Sequence, residues 1–132
     1  MTHAPVAPWF SPGKFPSGGY LTVDRTVGNL IDWYNIQFYN RKHQPPLNSP
    51  CRAHTFLEGD SEYTTCDNLL RASSSTWPKS SIFEIGASGV DLSKLVIGKP
   101  AGFSDATNGF MDANTLASCL SQAKGSGWSE YT

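Results

Sequence analysis

The sequence carries almost no net charge: ten Lys and Arg residues stand against eleven Asp and Glu residues, a formal net charge of −1. Such a chain has no bulk electrostatic attraction to nucleic acid or to an anionic membrane. No stretch reaches the roughly 18 apolar residues that a membrane span needs. The first ten residues, "MTHAPVAPWF", lack the basic start and long apolar run of a signal peptide. We therefore expect no nucleic-acid partner, no membrane partner and no signal peptide in this chain.

Charged residues are also scarce, at 16% of the chain, whereas Gly and Pro number 12 and 9. A surface rich in Ser, Thr, Gly and aromatic residues is common in secreted carbohydrate-active proteins. The length of 132 residues suffices for one domain with its own core. The three cysteines allow one disulfide and leave one thiol over.

The best candidate for a metal site lacks the ligand spacing of known zinc sites. His43, Cys51 and His54 match no zinc pattern, and a fourth ligand is missing. We expect neither a metal nor a cofactor.

Hydrophobic patterning predicts alternating strands and helices. The expected strands are an edge strand or strand end over 4–10, a strand from about Trp33 to Tyr39, and a strand buried on both faces over 94–100. The expected helices are a short helix after Asp24 within 20–31, a helix in 63–75 capped by Thr65, a helix in 77–91 starting at Pro78, and a helix over 112–128. This order implies an α/β fold with parallel strands. The basic, Pro-rich stretch 41–60 has no period, which predicts a long loop or a disordered insert.

The runs "DWYNIQFYN" (32–40), "SEYTTCDNLL" (61–70) and "ASGVDLSKLVIGKPA" (87–101) carry a family resemblance. Together they resemble the plant- and fungal-type chitinases of glycoside hydrolase family 18, and most of all the secreted chitinases of basidiomycete fungi. The resemblance covers about residues 4 to 129, interrupted at about 41–58. That interruption is interpreted either as a translated intron or as a true loop insertion that reshapes the cleft mouth.

The resemblance implies a (β/α)₈ TIM barrel, which takes about 250 residues, so this chain can hold only about half of one. We expect about three βα units, with 4–10, 32–40 and 94–100 as the fifth, sixth and seventh strands and the eighth strand missing. It also implies a disulfide between Cys66 and Cys119, which suits an oxidising compartment, with Cys51 left unpaired. Members of the family are extracellular.

The family's chemistry uses a glutamic acid that protonates the glycosidic oxygen, while the substrate's own N-acetyl group attacks the anomeric carbon. The acid belongs to a DxxDxDxE signature, which this sequence lacks; among its eleven carboxylates only Glu58, Asp60 and Glu62 follow one another at a spacing of two. By resemblance, Tyr39 is the catalytic-site tyrosine that contacts the acetamide, and Gln37 and Asn40 are its substrate-binding neighbours. Trp9 is a further candidate for sugar contact.

Each of these residues also has an ordinary structural interpretation. A tyrosine at a strand end is more often a packing residue with a hydrogen-bonded hydroxyl, and most tryptophans pack in cores.

The expected function is therefore that of a fragment of a chitinase, which hydrolyses β-1,4-N-acetylglucosamine polymers with substrate-assisted retention. Without the acid, the chain alone should be inactive. The alternatives are a chitin- or oligosaccharide-binding protein, an interaction protein without catalysis, or a truncated reading of a longer gene. The expected partners are chitin or N-acetylglucosamine oligosaccharides. Self-association through open barrel edges is also expected, because unpaired strand edges favour it.

Overall fold

The computed structural model describes residues 1–39, 62–106 and 108–128. These residues contain a three-stranded parallel sheet whose order is β1 (Thr2–His3), β2 (Trp33–Gln37) and β3 (Leu95–Gly98). The parallel arrangement agrees with the alternation of strands and helices in the sequence. The expected insert at 41–60 lies outside the described residues.

The described residues also contain four α-helices. They are α1 (Gly19–Val27), α2 (Cys66–Leu70), α3 (Ile82–Ala87) and α4 (Ala113–Gly125), and short 3₁₀ turns cover Ala7–Phe10, Pro16–Gly18, Gly28–Leu30 and Leu92–Lys94. Helix α2 begins as expected at Thr65, whose hydroxyl accepts the Asn68 N–H at 3.3 Å. Helix α4 begins after Asp112, whose carboxylate accepts the backbone N–H groups of the first turn.

The helices cover one face of the sheet. Along β2 and just beyond it, Tyr34, Ile36 and Phe38 are fully buried, whereas Trp33 on the opposite face is 40% exposed. The alternation follows from the two-residue period of a strand. The buried face packs against residues of all four helices, including Leu21, Leu69, Ile82, Ile85 and Ala123.

Long-range polar bonds connect this core. The Tyr34 hydroxyl donates to Asp24 Oδ1 at 2.8 Å, and the buried Trp128 indole donates to the Leu95 carbonyl at 3.1 Å. A disulfide joins Cys66 of α2 to Cys119 of α4, with the two Cα atoms 5.0 Å apart.

The strand expected over 4–10 is wrong. The first strand is Thr2–His3, only Val6 forms a bridge to Gln37, and Ala7–Phe10 is a 3₁₀ turn. The physical reason is proline: Pro5 and Pro8 have no N–H to donate, and their fixed φ suits the first position of a helical turn.

Two helix starts also differ from the sequence expectation. Helix α1 begins at Gly19, before Asp24, and α3 begins at Ile82 rather than at Pro78. Ser81 precedes α3, and its hydroxyl and N–H both donate to Glu84, so this cap sets the helix start. Strand β3 is shorter than 94–100, and of its residues only Leu95 is buried, so the expectation of burial on both faces is wrong.

Candidate functional site

The chain leaves β2 at the carboxyl edge of the sheet, through Gln37, Phe38 and Tyr39. Phe38 is fully buried and meets the Tyr63 ring edge-on at 5.1 Å between ring centroids. Gln37 and Tyr39 are half-buried, and the strand period assigns both to the opposite face. In α/β proteins the carboxyl edge of a parallel sheet is where ligands bind.

The Gln37 side chain is oriented by the segment that follows β1. Its Nε2 donates to the Ala4 carbonyl at 2.6 Å, and its backbone N–H donates to the Pro5 carbonyl at 2.8 Å. A primary amide has two N–H donors and one acceptor oxygen, so the bond to Ala4 uses only one of these. The remaining N–H and the Oε1 atom suit a polar ligand.

Lys99 holds the main chain beside Tyr39. Its Nζ donates to three carbonyl oxygens: that of Phe38 at 3.2 Å, that of Tyr63 at 2.6 Å and that of Gly109 at 2.7 Å. Three donors match the capacity of an ammonium group. Burial lowers the pKa of Lys99 to about 7. One side chain thus ties three separate segments together at the carboxyl edge.

Gly109 approaches the same point from another segment. Its φ is +81°, and a Cβ built on it would clash with the Phe38 carbonyl oxygen and lie 2.8 Å from Tyr39 Cα. Only glycine accommodates both the backbone conformation and the contact. The main chain at Phe38–Tyr39 is therefore fixed by Lys99 and Gly109 together.

Sequence reasoning did not identify either residue. The signal for Lys99 is a lone lysine directly after the apolar run "LVIG", because a cation at the end of a buried strand needs acceptors. No comparable local signal marks Gly109, since its constraint arises from a segment 70 residues earlier.

Trp9 occupies a different place from Gln37 and Tyr39. It is 38% exposed and stacks on Tyr20, with ring centroids 5.7 Å apart and an interplanar angle of 20°. The two rings line an apolar groove of about 520 Å³ along α1, and neither Gln37 nor Tyr39 lines it. The strand period assigns Gln37 and Tyr39 to one face, and the structure places Trp9 elsewhere, in this groove.

Two glutamates near these segments have structural partners. Glu84 accepts four hydrogen bonds, from the N–H and hydroxyl groups of Ser73 and Ser81. Burial alone would raise the pKa of Glu84, but these bonds outweigh it and lower the pKa overall. Glu62 is 6% exposed, and its Oε1 accepts the Ser74 hydroxyl at 2.5 Å. An ionised Glu84, whose Oε2 already accepts four hydrogen bonds, is unsuited to donate a proton to a leaving group.

Some sequence-based candidates cannot be located. Asn40, His43, Cys51 and His54 lie outside the described residues. Within 1–39, 62–106 and 108–128, no group of three His, Cys, Asp or Glu side chains is placed to hold a metal ion. In the same ranges, no helix combines the length and the apolar character that crossing a bilayer requires.

A scan against protein-family models finds no match to this chain, and a search of curated proteins finds none either.

Proposed function

We propose that this chain is a chitinase-derived domain that binds N-acetylglucosamine oligosaccharides at the carboxyl edge of its parallel sheet and does not hydrolyse them alone. The observation that carries the proposal is the constrained main chain at Tyr39, two residues after the oriented amide of Gln37. Lys99 and Gly109 hold the main chain there, and Ala4 orients the Gln37 amide. In this proposal the fold is part of a (β/α)₈ barrel, and β1, β2 and β3 correspond to its fifth to seventh strands.

The polar groups at this edge complement an acetamide. An N-acetyl group offers one carbonyl oxygen and one N–H. The Tyr39 hydroxyl can donate to that oxygen, and the Gln37 Oε1 can accept that N–H. The resemblance to family 18 chitinases supports the same roles and adds Asn40. Trp9 remains a candidate for contact with sugar units farther along a chain, because an exposed aromatic face can stack on a pyranose ring.

The absence of hydrolysis follows from the carboxylates. The sequence has no DxxDxDxE signature. Glu84 is committed to capping α3. General acid catalysis contributes about 10²–10⁴-fold in rate, and the mechanism of the resembling family also needs a carboxylate to orient the acetamide. We therefore propose that an oligosaccharide bound only by Tyr39 and Gln37 is released without being hydrolysed.

An extracellular location is part of the proposal. The disulfide between Cys66 and Cys119 supports it, because such bonds persist in oxidising compartments.

The test measures binding and turnover on the same preparations. Titration calorimetry with N-acetylglucosamine oligomers should show binding, and Tyr39→Phe should weaken it about three- to tenfold, the typical value of one hydrogen bond. Tyr20→Phe is the matched control, because it also removes one hydroxyl from a half-buried tyrosine, away from Gln37 and Tyr39, and keeps the ring that stacks on Trp9. A fluorogenic chitobioside should not be cleaved by any of these proteins.

Two results would contradict the proposal in different ways. Equal affinity of the native chain and Tyr39→Phe would remove Tyr39 from the binding site. Chitobioside turnover that Tyr39→Phe abolishes would show that the chain is an enzyme after all. The alternative of an interaction protein without a sugar ligand predicts no calorimetric signal and no retention on chitin.

A further inference from the structure

The groove along α1 is an apolar surface that faces solvent. It is lined by Trp9, Phe15 and Tyr20 at one end and by Val23 and Val27 at the other. Helix α1 directs Leu21 into the core and packs the partly buried Val23 against it, whereas Val27 lies farther out toward solvent. Val27 is 38% exposed, and the groove measures about 520 Å³. A space of this size accepts one large aromatic side chain.

One side chain in the described part of the chain has the form of such an occupant. Phe103 is 81% exposed, in the loop after β3. It meets Phe110 edge-on with ring centroids 5.9 Å apart, which limits the positions open to its ring. A projecting, partly ordered aromatic ring costs little further entropy when it docks.

The groove and Phe103 belong to opposite borders of the sheet. The groove follows β1, Phe103 follows β3, and these are the two outer strands. Phe103 is exposed in its own chain, so a groove that receives it belongs to another copy.

We propose that copies of this chain associate head to tail, with Phe103 of one copy inserted into the α1 groove of the next. Such a contact is heterologous, since two different surfaces of the same chain meet. An aromatic ring in this groove would lie against the stacked Trp9 and Tyr20, an arrangement that aromatic pairs favour. The inference does not depend on the proposed sugar binding.

One pair of opposite charges flanks the two surfaces. Asp105 follows Phe103 by two residues, and Arg25 reaches the groove wall, where its guanidinium donates to the Thr22 hydroxyl at 3.1 Å. Insertion of Phe103 would bring the Asp105 carboxylate toward the Arg25 guanidinium of the next copy. The net charge of −1 adds little repulsion between copies.

Sedimentation velocity over a range of concentrations tests the proposal. The native chain should sediment faster as concentration rises. Phe103→Ser and Val27→Glu should each weaken association about ten- to a hundredfold, as expected when one aromatic side chain no longer becomes buried. Leu30→Ser is the matched control, because Leu30 is 60% exposed but does not line the groove. It should associate as the native chain does.

Mixing the two variants gives the sharper result. Phe103→Ser retains an intact groove, and Val27→Glu retains an intact Phe103, so an equal mixture should form a one-to-one pair and nothing larger. Circular dichroism confirms that each variant is folded before mixing. A native chain that stays monomeric at every concentration would overturn the proposal. So would native-like association of Phe103→Ser, or a mixture of the folded variants that forms no pair.

Discussion

The Nζ atom of Lys99 lies 2.6 Å from the main-chain oxygen of Tyr63. The same atom also donates to Phe38 and Gly109, so the end of β2 is bonded to two segments that follow it in the chain. A lysine buried this far is desolvated, and its three acceptors are fixed backbone carbonyls. These three hydrogen bonds therefore couple the protonation of Lys99 to the stability of the carboxyl edge of the sheet.

The first prediction concerns stability against pH. Burial lowers the pKa of Lys99 to about 7 in the folded chain, whereas an unfolded lysine has a pKa of about 10.4. Between these two values the unfolded chain binds more protons, so the free energy of unfolding should rise with pH. Above about pH 10 the trend should reverse, because burial raises the pKa of Tyr63 and keeps its proton on in the folded state.

Urea unfolding at several pH values measures this directly. In Lys99→Met the rise between pH 7 and 10 should be absent, so the stability gap to the native chain should widen as pH increases. Lys124→Met, at the exposed end of α4, serves as the control and should keep the native profile. A parallel pH profile for the native chain and Lys99→Met would show that Lys99 titrates normally.

The second prediction concerns Gly109. In Gly109→Ala the new methyl group would meet the Phe38 carbonyl and Tyr39, at a residue whose φ is +81°. We expect a loss of about 1–3 kcal/mol in the free energy of unfolding, as for other strained backbone positions. Weaker oligosaccharide binding should accompany it, because Tyr39 would shift. Gly125→Ala is the control: nothing lies within 4 Å of its Cβ position at the last residue of α4, so it should not lower the free energy of unfolding. A tolerated Gly109→Ala would mean that the 38–39 segment is not held in place by this contact.

The sequence predicted the elements whose signals are local. Strand β2 shows the alternation of Tyr34 and Ile36, and α2 begins at a Thr65 cap that three neighbouring residues define. Helix α4 shows an apolar stripe that includes Cys119 and Ala123. In each of these, the information lies within one or two turns of chain.

The parts that escaped prediction depend on distant segments. Pro5 and Pro8 argued against a central strand, but the sequence did not predict the 3₁₀ turn Ala7–Phe10, in which the Phe10 ring packs edge-on against Tyr34 of β2. Lys99 acquires its role only through carbonyl groups 10, 36 and 61 residues away. Tyr39 and Gln37 are candidates through resemblance alone, and their shared face is an expectation from strand periodicity. The groove that contains Trp9 could not be foreseen, because it needs both α1 and the 15–19 segment.

The third prediction concerns Glu84. Its carboxylate binds Ser73 and Ser81, joining the segment after α2 to the start of α3. Glu84→Ala should lower the free energy of unfolding by about 1–3 kcal/mol, because the serine donors lose their acceptor. The hydrogen bonds lower the pKa of Glu84 despite burial, so its contribution is present above the unfolded value of about 4.3 and is lost as pH falls through the folded value.

Thermal unfolding between pH 3 and 7 checks the role of Glu84. The native chain should lose stability on acidification more steeply than Glu84→Ala, and the two should converge at low pH. Glu84→Gln keeps one acceptor oxygen and should fall between them at neutral pH. Equal acid sensitivity of all three proteins would assign the acid transition to other carboxylates.

The fourth prediction concerns the disulfide between Cys66 and Cys119. It joins α2 to α4 across a sequence separation of 53 residues, and Cys119 is fully buried. Closing a loop of this length lowers the entropy of the unfolded chain, which raises the free energy of the unfolded state by about 4 kcal/mol. Replacing both cysteines by alanine should therefore lower the free energy of unfolding by roughly 2–5 kcal/mol. Cys51→Ala, at the cysteine expected to be unpaired, should leave the free energy of unfolding unchanged.

Mass spectrometry of the intact native chain should show one blocked pair and one alkylatable thiol. A destabilised Cys51→Ala, or three alkylatable thiols without reductant, would contradict this pairing.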